Sequence, residues 1–101
     1  MTSETQLNVV HNIDKKRFEI QLDETNVAKI TYLIGGGIIT FDHSGVPQAY
    51  EGRGIAGMLA KTALDYARDN GLKVRPQCPY VATYIKRHAE YQPITIGYEE
   101  Q

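Results

Sequence analysis

The chain has 101 residues, 42% hydrophobic and 23% charged, with a formal charge of -1, a balance that excludes disordered and fibrous classes and predicts one domain over residues 1–101 with a modest core. Near-neutrality gives no global basic field for nucleic acid, and no apolar run approaches the roughly 20 residues that span a bilayer. The opening MTSETQLNVV lacks the charged-then-apolar pattern of a signal peptide, so the expectations are a cytoplasmic protein without membrane or nucleic-acid partners, working as a monomer or weak homo-oligomer.

The first half alternates at period two between turn formers, the signature of strands. LNVVHN, RFEIQL, VAKITYLI and IITFDHSGV are the candidates, joined by IDKK, DETN and GGG, each short enough for a hairpin. Phe18, Ile20 and Leu22 share one side of the second strand, and Ala28, Ile30, Tyr32 and Ile34 one side of the third. An antiparallel meander with one face to be covered follows. The second half changes period. Ile55, Met58, Leu59, Thr62, Ala63, Tyr66 and Ala67 recur at helical spacing, with Lys61, Asp65, Arg68 and Asp69 opposite and Gly71 as the C-terminal stop. LKVR then reads as a buried strand, parallel or nearly so to the fourth. CPYVATYIKRH reads as a short helix with Pro79 first, Cys78 just before it, and Lys86, Arg87 and His88 in its last turn. The tail from Tyr91 is polar at its end and is expected to fray after Ile96. The fold class is therefore α/β (α+β), a meander followed by a β-α-β-α unit.

Cys78 is the one cysteine, so neither an intrachain disulfide nor a cysteine metal cage can form. His11, His43 and His88 lack the spacing of a zinc site, and no metal is expected.

EGRGIAGML carries G-x-G-x-x-G at Gly52, Gly54 and Gly57. A dinucleotide-binding turn would need its first glycine directly after the first strand and an acidic residue about 20 positions on, and a phosphate loop of the Walker type would need G-K-[ST]. The stretch meets neither pattern. What survives is physical: glycines at a helix mouth let backbone N–H groups approach an anion, which the positive helix end favours. A pyrophosphate ligand and a merely tight helix entry both fit these residues.

Glu51-Gly52-Arg53-Gly54-Ile55-Ala56 resembles the [QR]-x-x-G-x-[GA] motif of the Gcn5-related N-acetyltransferases, with Glu51 where Gln or Arg is usual. The wider run from His43 to Tyr91 resembles a small subgroup of that family. There H-[ST]-x-V-P leads to E-G-x-G-I-[AG], then to P-x-C-[PS]-[FY]-V and R-H-P-E-[YW]; here Ala89 stands in place of the last proline. The resemblance implies a minimal acetyltransferase fold and acetyl-CoA as the ligand, lying where strands 38–46 and 72–75 splay. It implies that backbone around Ser44, Gly45 and Val46 holds the pantetheine and that amides from Gly52 to Gly57 hold the pyrophosphate. Glu51, Gly52, Arg53, Gly54, Ile55, Ala56 and Gly57 are thus the candidate phosphate loop, while Cys78, Tyr84, Arg87 and His88 are further candidates to touch the cofactor, the last two, with Lys86, at its 3'-phosphate.

Acetyl transfer needs a neutral amine, a donor to the developing oxyanion and a proton for the departing thiolate. Cys78 is one catalytic candidate, because a thiol at a helix N-terminus has its thiolate favoured and the resemblance places it near the cofactor sulfur; a small buried apolar role is the alternative. Tyr84, with Tyr80 as its rival, is the candidate acid. His43 is the candidate base, with Glu51 acting through water as the alternative. An acetyltransferase acting on a protein lysine, an N-terminus or a small amine is one reading. A coenzyme A-binding module with little activity is another, and an acetyl relay through Cys78 is the third.

Overall fold

The computed structural model describes residues 7–98. A sheet in the order β1-β2-β3-β4-β5 is formed by β1 (Val10–Asn12), β2 (Arg17–Gln21), β3 (Val27–Gly35), β4 (Ile38–Gly45) and β5 (Lys73–Pro76). The first four strands are antiparallel neighbours, and β5 joins β4 in parallel through α1 (Ile55–Asp69). Helix α2 (Pro79–Arg87) and a 3-10 stretch (Ala89–Ile94) follow. The meander, the parallel pair and the long helix lie where the sequence pattern puts them.

One sheet face is covered. Phe18, Ile20, Ala28, Ile30, Ile39 and Phe41 are buried from the strands, against Leu59, Ala63 and Leu64 of α1 and Val81 and Ile85 of α2. The alanines matter because they let the helix backbone sit close to the sheet without leaving voids. After α1, Gly71 takes φ 69 and the Leu72 N–H returns to the Ala67 carbonyl at 2.9 Å. That left-handed turn is the stop the sequence predicts, one residue beyond the cap at Asn70.

Several expectations need correction. The first strand was expected over Leu7–Asn12 but pairs only over Val10–Asn12, and the fifth is displaced by one residue to Lys73–Pro76. Met58 is 37% exposed, and the buried stripe of α1 is instead Ile55, Leu59, Ala60, Ala63, Leu64 and Ala67. Ile34, expected inside, is 47% exposed, and its neighbour Leu33 is 56% exposed. Successive strand residues point to opposite faces, so the sheet is bare on both sides at that hairpin tip. The tail is less polar in its role than in its composition: Tyr91 and Thr95 are buried, the Tyr91 hydroxyl donates to Asp65 Oδ1 at 2.6 Å, and the Ile96 N–H donates to the Val74 carbonyl at 2.9 Å. Ile96–Tyr98 close a turn; the rest of the expected frayed tail, 99–101, lies outside the described residues.

Candidate active site

Two irregularities in β4 shape the site. The first is a bulge: Thr31 pairs with His43 and Tyr32 with Phe41, leaving Asp42 as the extra residue. Thr31 Oγ1 donates to Asp42 Oδ1 at 2.7 Å and pins it. A bulge reverses the phase of alternation beyond it. Phe41 faces the core, and because Ser44 pairs with the fully buried Ile30, Ser44 faces the helices as well. His43, paired with Thr31, faces the other side.

The second irregularity is a splay. Parallel pairing with β5 runs from Ile38↔Lys73 to Phe41↔Pro76 and stops there, while β4 continues to Gly45. Pro76 carries no N–H, and the Gln77 and Cys78 N–H groups both return to the Phe41 carbonyl, at 3.0 and 2.8 Å. The chain then turns away into α2. The end of β4 is thus left beside a gap on the side where β5 has diverged.

That gap opens into a cleft of about 490 Å³ lined by Ser44, Gly45, Val46, Tyr50, Glu51, Gly52, Gly54, Ile55, Ala56, Gly57 and Tyr80. Gly52 and Gly54 adopt φ 83 and 78, a left-handed backbone that glycine takes without cost. Gly54 is the N-cap of α1, which has no side-chain cap and no acidic residue in its first turn. The first helical bond is from the Met58 N–H to the Gly54 carbonyl at 3.1 Å, so the N–H groups of Ile55, Ala56 and Gly57 precede the intrahelical ladder at the cleft wall. Such a terminus, together with the helix dipole, suits an anion. Gly57 lies in the first turn, where an added Cβ would stand 3.6 Å from Tyr80 Oη and 3.9 Å from Tyr84 Cε2.

The remaining sequence candidates divide. Arg53 leaves the main cleft: its guanidinium lies 5.2 Å over the Tyr50 ring and borders a second hollow of about 300 Å³ with Leu7, Leu22, Tyr50 and Ile55. Cys78 is 2% exposed and sits behind Ser44, with its thiol donating to Ser44 Oγ at 3.2 Å. Tyr84 is half-buried between the helices, its ring stacked on His88 at 3.8 Å, and the His88 Nδ1–H donates to the Tyr84 carbonyl at 2.8 Å. Arg87 is exposed. Neither Tyr84, Arg87 nor His88 lines the cleft; Tyr80, at 37% exposure, does. Burial holds both phenols above their ordinary pKa, with Tyr84 raised further by the adjacent Tyr80. Each therefore remains a proton donor at neutral pH.

Tyr50 lines the cleft although no sequence motif marks it. It ends a 3-10 turn (Gln48–Tyr50), and its hydroxyl donates to Asp23 Oδ2 at 2.6 Å. Asp23 Oδ1 also accepts from the Thr25 and Asn26 N–H groups, both at 2.9 Å. These bonds, that from Tyr50 foremost, hold the Asp23 carboxyl well below the usual carboxylate range. The glycine loop is thereby tied to the β2–β3 hairpin.

A helix mouth lined by left-handed glycines, beside a strand splayed from its parallel neighbour, is the architecture of the acyl-CoA N-acyltransferase class of fold. The sequence profile described as GCN5-related N-acetyl-transferase matches residues 17–94, and the chain belongs to that family. It is similar to Protein NATD1 of Mus musculus, at 33% identity over 84 residues covering 81% of this chain and 76% of that protein. It is also similar to Protein NATD1 of Danio rerio, at 34% over 91 residues covering 86% and 83%. The solution NMR structure of a GCN5-like protein from Staphylococcus aureus superposes with a TM-score of 0.74 at 29% identity, over 93% of this chain and 92% of that one.

Proposed function

We propose that the protein is an acetyl-CoA-dependent N-acetyltransferase whose acceptor is a primary amine on a protein lysine, an N-terminus or a small molecule. One observation carries the reading: the uncapped start of α1, with its left-handed glycines, opens into the same cleft as the end of β4 that β5 no longer pairs. A pyrophosphate suits the first and an extended amide-bearing arm the second. Acetyl-CoA supplies the acetyl group already activated as a thioester. The chain's own part is to hold the phosphates on the amides from Gly52 to Gly57, and to align the pantetheine along Ser44, Gly45 and Val46. Tyr80 holds a phenol proton at the cleft wall for the leaving sulfur, with Tyr84 behind it. Glu51 lines the cleft and in this reading takes a proton through water, whereas His43, paired with Thr31, lies on the far face of the sheet.

The scarcity of titratable groups in the lining supports a second reading, a coenzyme A-binding module of low activity. Thermal shift with coenzyme A, followed by coenzyme A release from acetyl-CoA with and without a panel of amines, separates the two. Stabilisation with amine-dependent release supports transfer, stabilisation without release supports the module, and no stabilisation at millimolar ligand overturns both.

A further inference from the structure

The bulge at Asp42 aims one hydroxyl at the cleft. Ser44 lines it, while the Cys78 thiol, 2% exposed, lies behind. At 3.2 Å the thiol donates and the Ser44 oxygen accepts. A hydroxyl has one donor and two acceptor positions, so a Ser44 oxygen that accepts from the thiol still has its own proton to give. Hydrogen bonds in such a chain polarise one another.

We propose that the Ser44 hydroxyl, held by the Cys78 thiol, is the hydrogen-bond donor to the thioester carbonyl oxygen, and that Cys78 acts through Ser44 and does not itself carry the acetyl group. The proposal rests on the acetyl-CoA reading above. An acetyl carrier must be reached first by the thioester and then by the amine, and of this pair only Ser44 is presented to the cleft. Ser44 is no carrier either, because its partner is a donor and not a base, which makes the oxygen a poorer nucleophile. In the transfer the amine nitrogen forms the new C–N bond and the C–S bond breaks; the amine's proton passes through water to Glu51, Tyr80 gives one to the departing sulfur, and solvent restores both groups. Ser44 gives up no proton; it stabilises the negative charge that grows on the carbonyl oxygen. Cys78 is then a positioning residue and Ser44 a catalytic one.

Infrared difference spectra of [1-13C]acetyl-CoA bound to the protein test this without any acceptor. The expected result is a carbonyl band displaced to lower frequency in the wild type. The band returns toward its position in free acetyl-CoA in Ser44→Ala, lies between in Cys78→Ala, and is restored in Ser44→Thr and Cys78→Ser, which keep a donor. With spermidine as the probe amine, Ser44→Ala loses about a hundredfold in kcat while its thermal shift with coenzyme A persists. A band unmoved by Ser44→Ala with binding intact, or an intact mass showing acetyl on Cys78 that amine removes, overturns the proposal. Failure of coenzyme A to stabilise the wild type overturns the acetyl-CoA reading itself.

Discussion

Gly54 and Gly57 are three residues apart, and alanine should act on them with opposite sign. Gly54 sits at φ 78 with nothing within 4 Å of an added Cβ, so its cost is that of left-handed backbone alone, roughly 1–2 kcal/mol. Reduced freedom of the unfolded chain offsets about 0.4–1 kcal/mol of this, leaving a net loss of about 1 kcal/mol. For a domain of this size that lowers Tm by about 4–8 °C. Gly57 is helical, and its nearest neighbours, at 3.6 and 3.9 Å, are at ordinary contact distance. Alanine there gains roughly 0.5–1 kcal/mol of helix propensity and should raise Tm by a few degrees. The added methyl also points toward Tyr80, a cleft residue, so coenzyme A should add less stabilisation to Gly57→Ala than to the wild type. Differential scanning calorimetry with and without coenzyme A reads both quantities. Equal losses of Tm in the two variants would refute the assignment of Gly57 to an unstrained first turn, and an undiminished coenzyme A increment would refute its place on the ligand's path.

Three further outcomes are expected. In amine-dependent coenzyme A release, Tyr80→Phe should lower turnover by about 10²-fold or more and Tyr84→Phe by under tenfold, because only Tyr80 lines the cleft; the reverse order would return the acid role to Tyr84. Tyr50→Phe removes the bond to Asp23 and should weaken coenzyme A binding severalfold while leaving Tm almost unchanged, as titration calorimetry beside a melt will show. His11 stacks on Phe18 at 4.1 Å and bonds the Tyr32 hydroxyl at 2.6 Å, and its burial holds its pKa below the ordinary 6.5. The unfolded chain therefore binds the proton first, and the His11 contribution to stability, complete above pH 6.5, is lost as pH falls toward the folded value; His11→Gln should lack that slope in urea melts run from pH 7.5 to 5.

What the sequence made legible follows the physics of each element. Phe18, Ile20 and Leu22 alternate in the sequence and are all buried, because a strand's period of two needs no tertiary information. Met58 misled because α1 carries apolar residues over much of its circumference, so periodicity alone could not centre the stripe. Ile34 misled because alternation says which face a residue takes and not whether anything covers that face. The loop before α1 was legible as a run of glycines at a helix start, and Gly52, Gly54 and Gly57 all line the cleft. Beyond Asp42 the counting fails: a bulge depends on pairing with β3, and it turns Ser44 inward and His43 outward. Tyr80 and Tyr84 lie one turn apart, so helical spacing could not rank them. Tyr50 gave no local signal at all, since its partner Asp23 is 27 positions away.

Coenzyme A is proposed to bind across the start of α1 and the end of β4 that β5 leaves uncovered. A titration of the 15N-labelled protein with coenzyme A, followed by amide NMR, tests it most directly. Saturable shifts are expected, concentrated at the amides of Ser44 to Val46 and Gly52 to Gly57, with Leu33 and Ile34 at the far hairpin tip unmoved. Shifts centred on that tip or on the bare face of the sheet, or a spectrum unchanged at millimolar coenzyme A, would contradict it.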